Sequence, residues 1–425
     1  MSIAVDPALE DEYQALLDLR PDLVENPFPL LARIREQAPV FRHEPSKQFV
    51  VVGYEALAKL LLDERFLVGY VGLKTSKMRV FVESLEDETR EKAFVIYAFR
   101  DRWLPFANGD EHERLRALAH KAFTPKVIGQ MSARIETVAN ELLDAAVAKG
   151  PVDIDLITEF AWQFPLTVIA EMLDVPPEER PALREASHRI VATAGPASPE
   201  AIDAAYEGVR TFERYLLAHF ARRRGNDKGD LLGALLAAQL EDGDRLNDAE
   251  LVPFVAQLLH AGHETTTNLI ANGLTAMLGT FPDQWAMLRE DPGLAAKASE
   301  ETFRYEGSAQ QSGRTASVDC ELEGVEIKQW DSVTPMFTAA NRDPAVFDDP
   351  DRFDLHRTGP KHLALGLGPH YCLGASLARM ELTTAYSTLA RRFPKLELRP
   401  GAVRVRNIHV RGFERLPVRL GPDCG

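Results

Sequence analysis

The sequence predicts a mainly α-helical fold with a minor β-sheet portion, and three observations carry that expectation. Apolar residues recur at i, i+3 and i+4 over 28–38, 54–63, 111–147, 155–174, 199–224, 247–280, 283–306 and 373–393. Strand-like runs are few and short: Val40 to Arg42, Phe49 to Val52, Val318 to Leu322, Val325 to Ile327 and the region around Val403 to Val405. Strands and helices do not alternate regularly, which argues against a doubly wound α/β sheet.

The chain has 425 residues, of which 45% are apolar, 27% charged and 8% aromatic. That composition belongs to a soluble globular protein and excludes collagen-like, disulfide-rich and broadly disordered classes. Forty-nine basic against sixty-four acidic residues gives 49 − 64 = −15, which argues against a dedicated nucleic-acid binder. Cys320, Cys372 and Cys424 cannot build a disulfide framework and point to a reducing compartment. Asp6, Glu10, Asp11, Glu12 and Asp18 make the start of the chain the opposite of a signal peptide. Apolar stretches such as Leu231 to Leu240 fall short of a bilayer span, so a cytoplasmic protein without a membrane anchor is expected. Neither a repeat nor a flexible linker is visible, which predicts a single domain over 1–425 with a less ordered segment at 1–25.

One helix stands out. Asn247 and Glu250 have capping-box spacing, and the helical pattern then runs to Gly279 before Pro282. About thirty residues at 1.5 Å each would cross the whole molecule. Leu251, Phe254, Val255, Leu258, Leu259 and Ile270 surround the helix, so it should be buried, yet its centre reads His260-Ala261-Gly262-His263-Glu264-Thr265-Thr266-Thr267. Zinc is a poor reading of that run, because the metalloprotease pattern needs His-Glu-x-x-His and these histidines are three apart. What remains is a carboxylate beside a hydroxyl at a glycine-thinned point. Such a point can face a bulky planar ligand and relay protons to it.

Three further constellations carry chemistry. Leu365-Gly366-Leu367-Gly368-Pro369-His370-Tyr371-Cys372-Leu373-Gly374 folds glycines around one cysteine just before a helix. Helix-start amides favour a thiolate there, and a lone thiolate suits one axial position on haem iron. A cysteine read alone is more often a small buried apolar side chain, and the flanking glycines with His370 turn the reading toward a ligand. Glu301 and Arg304 lie one turn apart and can pair. His112 and Arg116 point the same way and can clamp a carboxylate, or form an ordinary charged face.

In this order the motifs resemble the cytochrome P450 superfamily in its soluble bacterial form, from about Asn26 to Val418. The resemblance implies the cytochrome P450 fold, with a long central helix over haem b (iron protoporphyrin IX). Cys372 would be the axial ligand of its iron, in a loop shaped by Gly366, Gly368 and Gly374. Glu264 and Thr265 would form the acid–alcohol pair of the oxygen-activation motif, with Ala261 against the cofactor. His112, Arg116, Arg314 and His370 would serve the haem propionates, and Glu301, Arg304 and Arg352 would form a structural triad. Departures are Leu365 for the usual aromatic, Glu264 for a frequent Asp, Gly307 for a frequent Pro and Trp330 for a turn glycine.

The resemblance also implies a monooxygenase that takes dioxygen as co-substrate and NAD(P)H electrons through a separate ferredoxin and ferredoxin reductase. Arg114, Lys121, Lys126, Lys361 and Arg379 are candidates for a basic docking face. By the same likeness the substrate pocket draws on 66–108, the central helix, 307–313 and 408–413. The first holds Phe66, Tyr70, Phe81, Phe94, Tyr97, Phe99 and Trp103. Gln257, Ala261, Gln310, Gln311, Phe94 and Tyr97 are its expected lining, and the polar 307–313 stretch predicts a small organic substrate with hydrogen-bonding groups, such as a natural-product intermediate. The expected outcome is hydroxylation or epoxidation. Oxidative coupling, desaturation or ring formation on the same fold is the alternative, and a non-catalytic haem-binding auxiliary protein is another.

Overall fold

The structure, a computed structural model, describes residues 4–69, 77–149, 153–193, 195, 197–226 and 228–424. It is mainly helical with four small sheets among the described residues. Cα packing divides the chain into two compact units: Met1–Phe66, Ser132–Pro165 and Glu264–Gly425 form the larger, Leu67–Met131 and Leu166–His263 the smaller.

The larger unit corrects the expectation of a loose N-terminus. Asp6 caps the helix Pro7–Leu17 by accepting the Ala8 N–H, and Pro7 occupies the first helical position. Leu9, Tyr13, Leu16 and, from the next helix Pro21–Glu25, Leu23 are buried in one cluster with Leu30, Leu31, Ile34 and Phe41. Those apolar anchors, spaced three and four apart, order a segment whose acidic surface alone suggested none. In the same unit Val40–His43, Gln48–Val51, Ser332–Pro335 and Arg314–Ala316 lie side by side in that order. The expected run 318–322 shortens to Cys320–Leu322, which pairs with Val325–Ile327 across a two-residue turn. Glu323 at φ 51° and Gly324 at φ 76° give that turn the twist a tight hairpin requires. Trp330 stands in the left-handed region at φ 74°, so the position does favour the glycine it lacks.

The smaller unit holds helices at Asp87–Asp101, Gly109–Ala122, Arg180–Val191, Pro199–Arg223 and Leu231–Ala237. Pro199–Arg223 packs against both Arg180–Val191 and Asp87–Asp101. Neither of those two was expected as a helix. The long helix expected over 111–147 is broken at Phe123-Thr124-Pro125, where Thr124 Oγ1 accepts the Val127 N–H and starts a new helix. The run 283–306 likewise breaks at Asp291-Pro292, where Asp291 accepts the Gly293 N–H.

The central helix is Asp248–Thr275, followed by a π-helical turn Ala276–Thr280. Its start is the expected capping box: Asn247 N–H donates to Glu250 Oε2 at 2.9 Å, and Glu250 N–H to Asn247 Oδ1 at 3.1 Å. Twenty-eight residues extend it over about 42 Å.

Candidate functional site

The cysteine loop is built before its helix begins. Cys372 N–H donates to the Leu365 carbonyl at 2.8 Å, closing the loop on itself. Gly366 and Gly368 hold φ of 76° and 68°, which other residues adopt only with strain. A Cβ on Gly368 would also stand 2.8 Å from Leu62 Cδ2, so the glycine permits close approach. Gly374 is under no such pressure, since a Cβ there meets nothing within 4 Å. Cys372 is exposed three residues before the helix Ala375–Arg392, whose dipole favours the thiolate. Leu365 is buried, an aliphatic side chain filling the place of a ring.

Along the central helix, residues 251–259 and 266–274 are buried without exception. Between them Ala261 is exposed and Glu264 and Thr265 are half-exposed, so the buried length of the helix is interrupted where the polar run sits. Partial burial raises the pKa of Glu264, which favours its protonated form relative to an ordinary carboxylate. Gly262 has a packing reason of its own, because a Cβ would stand 3.0 Å from Ile169 Cγ1. Burial drives His260 to about 3 and His263 to about 4, and the His263 ring donates from Nδ1 to the Leu259 carbonyl. Both rings are therefore neutral at pH 7. Among the described residues no three His, Cys, Asp or Glu side chains are grouped to hold a metal ion.

A buried ion network lies in the same unit as the cysteine. Glu301 takes two bonds from Arg304, at 2.7 and 2.9 Å, and both side chains are nearly inaccessible. The expected third member, Arg352, gives this network only its carbonyl, which accepts from Arg304 at 2.8 Å. Its guanidinium turns out to solvent and pairs with Asp283. The third charge is Arg357, whose Nε stands 3.0 Å from Glu301 Oε1. Arg352 and Arg357 share one turn-rich segment, so sequence spacing alone does not separate them; proximity to the buried carboxylate does.

Arg314 is 9% exposed and bonds only neutral oxygens, Ser312 Oγ at 3.1 Å and Gly313 O at 3.0 Å. Burial pushes it down to about 10, and no carboxylate pairs with it among the described residues. A cation held this way fits an anionic ligand group. His370 sits half-buried in the 3₁₀ turn Gly368–His370. In the smaller unit His112 is buried, its pKa lowered by burial and then by the Arg116 charge, and Arg116 Nε lies 3.1 Å from His120 Nε2. A lone thiol at a helix start and a buried guanidinium without its carboxylate suit an iron porphyrin with its propionates.

Comparison with known proteins decides the family. The family model for cytochrome P450 matches residues 205–410. The monooxygenase PikC of Streptomyces venezuelae is 36% identical over 405 residues, covering 94% of this chain and 92% of the relative. P450BioI, solved in complex with an acyl carrier protein carrying hexadec-9Z-enoic acid, is 32% identical at TM-score 0.83, covering 94% of this chain and 100% of the other. CxnD, a P450 for C–S bond formation in chuangxinmycin biosynthesis, is 34% identical at TM-score 0.79, covering 94% and 95%. The chain belongs to the cytochrome P450 family. It is an oxidoreductase of the monooxygenase class, in a family whose cofactor is haem.

Within this P450 the expected pocket residues separate into spent and open. Gln257 is buried with its Oε1 accepting the Leu104 N–H at 3.2 Å, so its carbonyl braces the chain. Tyr97 is 1% exposed and belongs to the core, whereas Phe94 on the same helix is 47% exposed. Gln310 spends its amide on the carbonyls of Asn407 and Ile408. Gln311 reaches His409, a residue the sequence reading did not single out. Tyr70 lies outside the described residues. Of the expected basic face, Arg114 is paired with Asp244 and Glu250, and Arg379 with Glu300. Lys121, Lys126 and Lys361 remain exposed. Among the described residues no helix is long and apolar enough to cross a membrane.

Proposed function

We propose that this P450 inserts one oxygen atom into a small organic substrate, with Cys372 as the axial ligand of haem b. The observation that supports this most strongly is the closed loop that presents Cys372 at a helix start. When bound, haem supplies the iron at which dioxygen is reduced. Cys372 would ligate that iron and Gly366 and Gly368 would shape the loop around it, while Arg314, His370, His112 and Arg116 would serve the propionates. Ala261, exposed on the central helix, would border the bound cofactor. Glu264 holds a proton and Thr265 hands it on through its hydroxyl, so that the reaction proceeds to product. Electrons originate in NAD(P)H and arrive from a separate ferredoxin and its reductase. Residues 1–425 act as one P450 domain, since the family match runs through segments of both units.

Turnover of cyclopentadecanol or androstanol under isotopically heavy dioxygen, with a ferredoxin, its reductase and NADPH, tests this reading. One heavy oxygen per product molecule is expected. Product without heavy oxygen would favour the second reading, coupling or ring formation, which the likeness to CxnD recommends.

A further inference from the structure

Glu300 and Glu301 are adjacent on the helix Ala295–Glu306, and they serve different parts of the fold. Glu301 is spent inside, on Arg304 and Arg357. Glu300 lies about 100° further around the helix and is exposed, yet it gathers side chains from three other segments. Arg379 Nε donates to Glu300 Oε1 at 2.5 Å, and Nη2 to Oε2 at 3.3 Å. The remaining arm of that guanidinium, Nη1, donates to the Tyr371 hydroxyl at 3.0 Å. His362 Nε2 stands 3.4 Å from Glu300 Oε2. One turn along the same helix, buried Phe303 stacks on the His362 ring at 5.4 Å and lies 5.9 Å beneath the Arg379 guanidinium.

These contacts fall on both sides of Cys372. Tyr371 precedes it directly, and Arg379 belongs to the helix Ala375–Arg392 that follows it. Side chains on a helix lean toward its N-terminus, so Arg379 reaches back to the cysteine end. His362 stands where the loop opens, next to Leu363, whose carbonyl accepts the Gly366 N–H at 2.9 Å. Burial alone would raise the Glu300 pKa, but His362 and Arg379 outweigh it and hold the carboxyl down to about 2. An isolated exposed pair would add little. Here a carboxylate held by two bonds, a phenol and an aromatic ring share one guanidinium, which fixes its direction as well as its charge.

We infer that Glu300 is a positioning residue for the iron ligand: through Arg379 and Tyr371 it clasps the Cys372 loop, and it offsets the Arg379 charge at the cysteine end of the helix. This rests on the reading of Cys372 as the axial ligand. With Glu300 neutralised, the Arg379 cation would favour the added electron of the reduced iron. With Arg379 neutralised, the lone carboxylate would oppose it.

The test is redox titration of the holoprotein, with the carbon monoxide spectrum of its reduced form, for the wild type, Glu300→Gln, Arg379→Gln and the double variant. The midpoint potential should rise in Glu300→Gln, fall in Arg379→Gln and return close to the wild-type value in the double variant. Both single variants should lose part of the red-shifted thiolate band, and Glu300→Asp should keep more of it than Glu300→Gln. The urea unfolding midpoint should scarcely move in any of them, because the pair is exposed. Potentials that shift the same way in both single variants, or a potential and band that do not change, would overturn the clasp. A band loss matched by an equal loss of unfolding midpoint would also overturn it, since the pair would then merely support the fold. A wild type without the thiolate band would overturn the ligand reading itself, and the clasp with it.

Discussion

Glu306 and Glu264 belong to the same unit, the first buried and the second half-exposed, and the chain treats them in opposite ways. Glu306 ends the helix Ala295–Glu306 with Arg411 Nε at 2.6 Å, Nη2 at 3.0 Å and Arg404 Nη2 at 3.3 Å. Burial alone would raise its pKa, but the Arg411 and Arg404 guanidiniums outweigh that and hold it down to about 2. Glu264 meets burial as its dominant influence and is raised instead. A buried carboxylate saturated with guanidiniums keeps its charge and ties segments together. One raised by burial is free to change its charge, which catalysis needs.

The largest expected effect comes from removing the saturated charge. Glu306→Gln leaves the Arg411 cation buried without its carboxylate and Arg404 with Glu25 alone, and should cost about 3–5 kcal/mol in urea unfolding. The sign with pH follows from the depressed pKa. Stability contributed by Glu306 is complete above about 4.5 and is lost as pH falls toward 2, so the wild type should weaken over that window. Glu306→Gln should lose that part of the slope.

The corrected triad gives the next effect. Arg357→Ala removes charged bonds to Glu301 and to the backbone at Asp348, Asp349 and Arg352, and should cost about 2 kcal/mol. Arg352→Ala removes an exposed pair with Asp283 and should cost under about 1 kcal/mol. Equal losses would restore Arg352 to the network.

Glu264→Gln should scarcely change stability. A raised carboxyl adds to stability below its unfolded pKa, and that gain is lost as pH rises. At pH 7 the neutral amide is therefore no worse. The same variant, and Thr265→Ala, should sharply lower product formed per NADPH, measured side by side. A large stability loss with unchanged coupling would place Glu264 with Glu306 as a structural charge.

Much of this was legible in the chain and some was not, for physical reasons. The capping box at Asn247 and the glycine loop around Cys372 are local, so their residue types suffice. The helix Asp87–Asp101 escaped notice because its support is charge spacing, such as Glu88 with Lys92, beside exposed Phe94 and Val95. Arg357 over Arg352, and the different partners of Gln310 and Gln311, depend on which neighbour a long-range contact supplies. A one-residue step along an extended segment reverses the face a side chain takes, so adjacent glutamines meet different partners.

The central claim is that Cys372 ligates haem iron as a thiolate. The carbon monoxide spectrum of the reduced holoprotein tests it most directly, with Cys372→Ser beside it. The red-shifted band of a thiolate-ligated haem should appear in the wild type and vanish in the variant. A wild-type spectrum without that band would contradict the account.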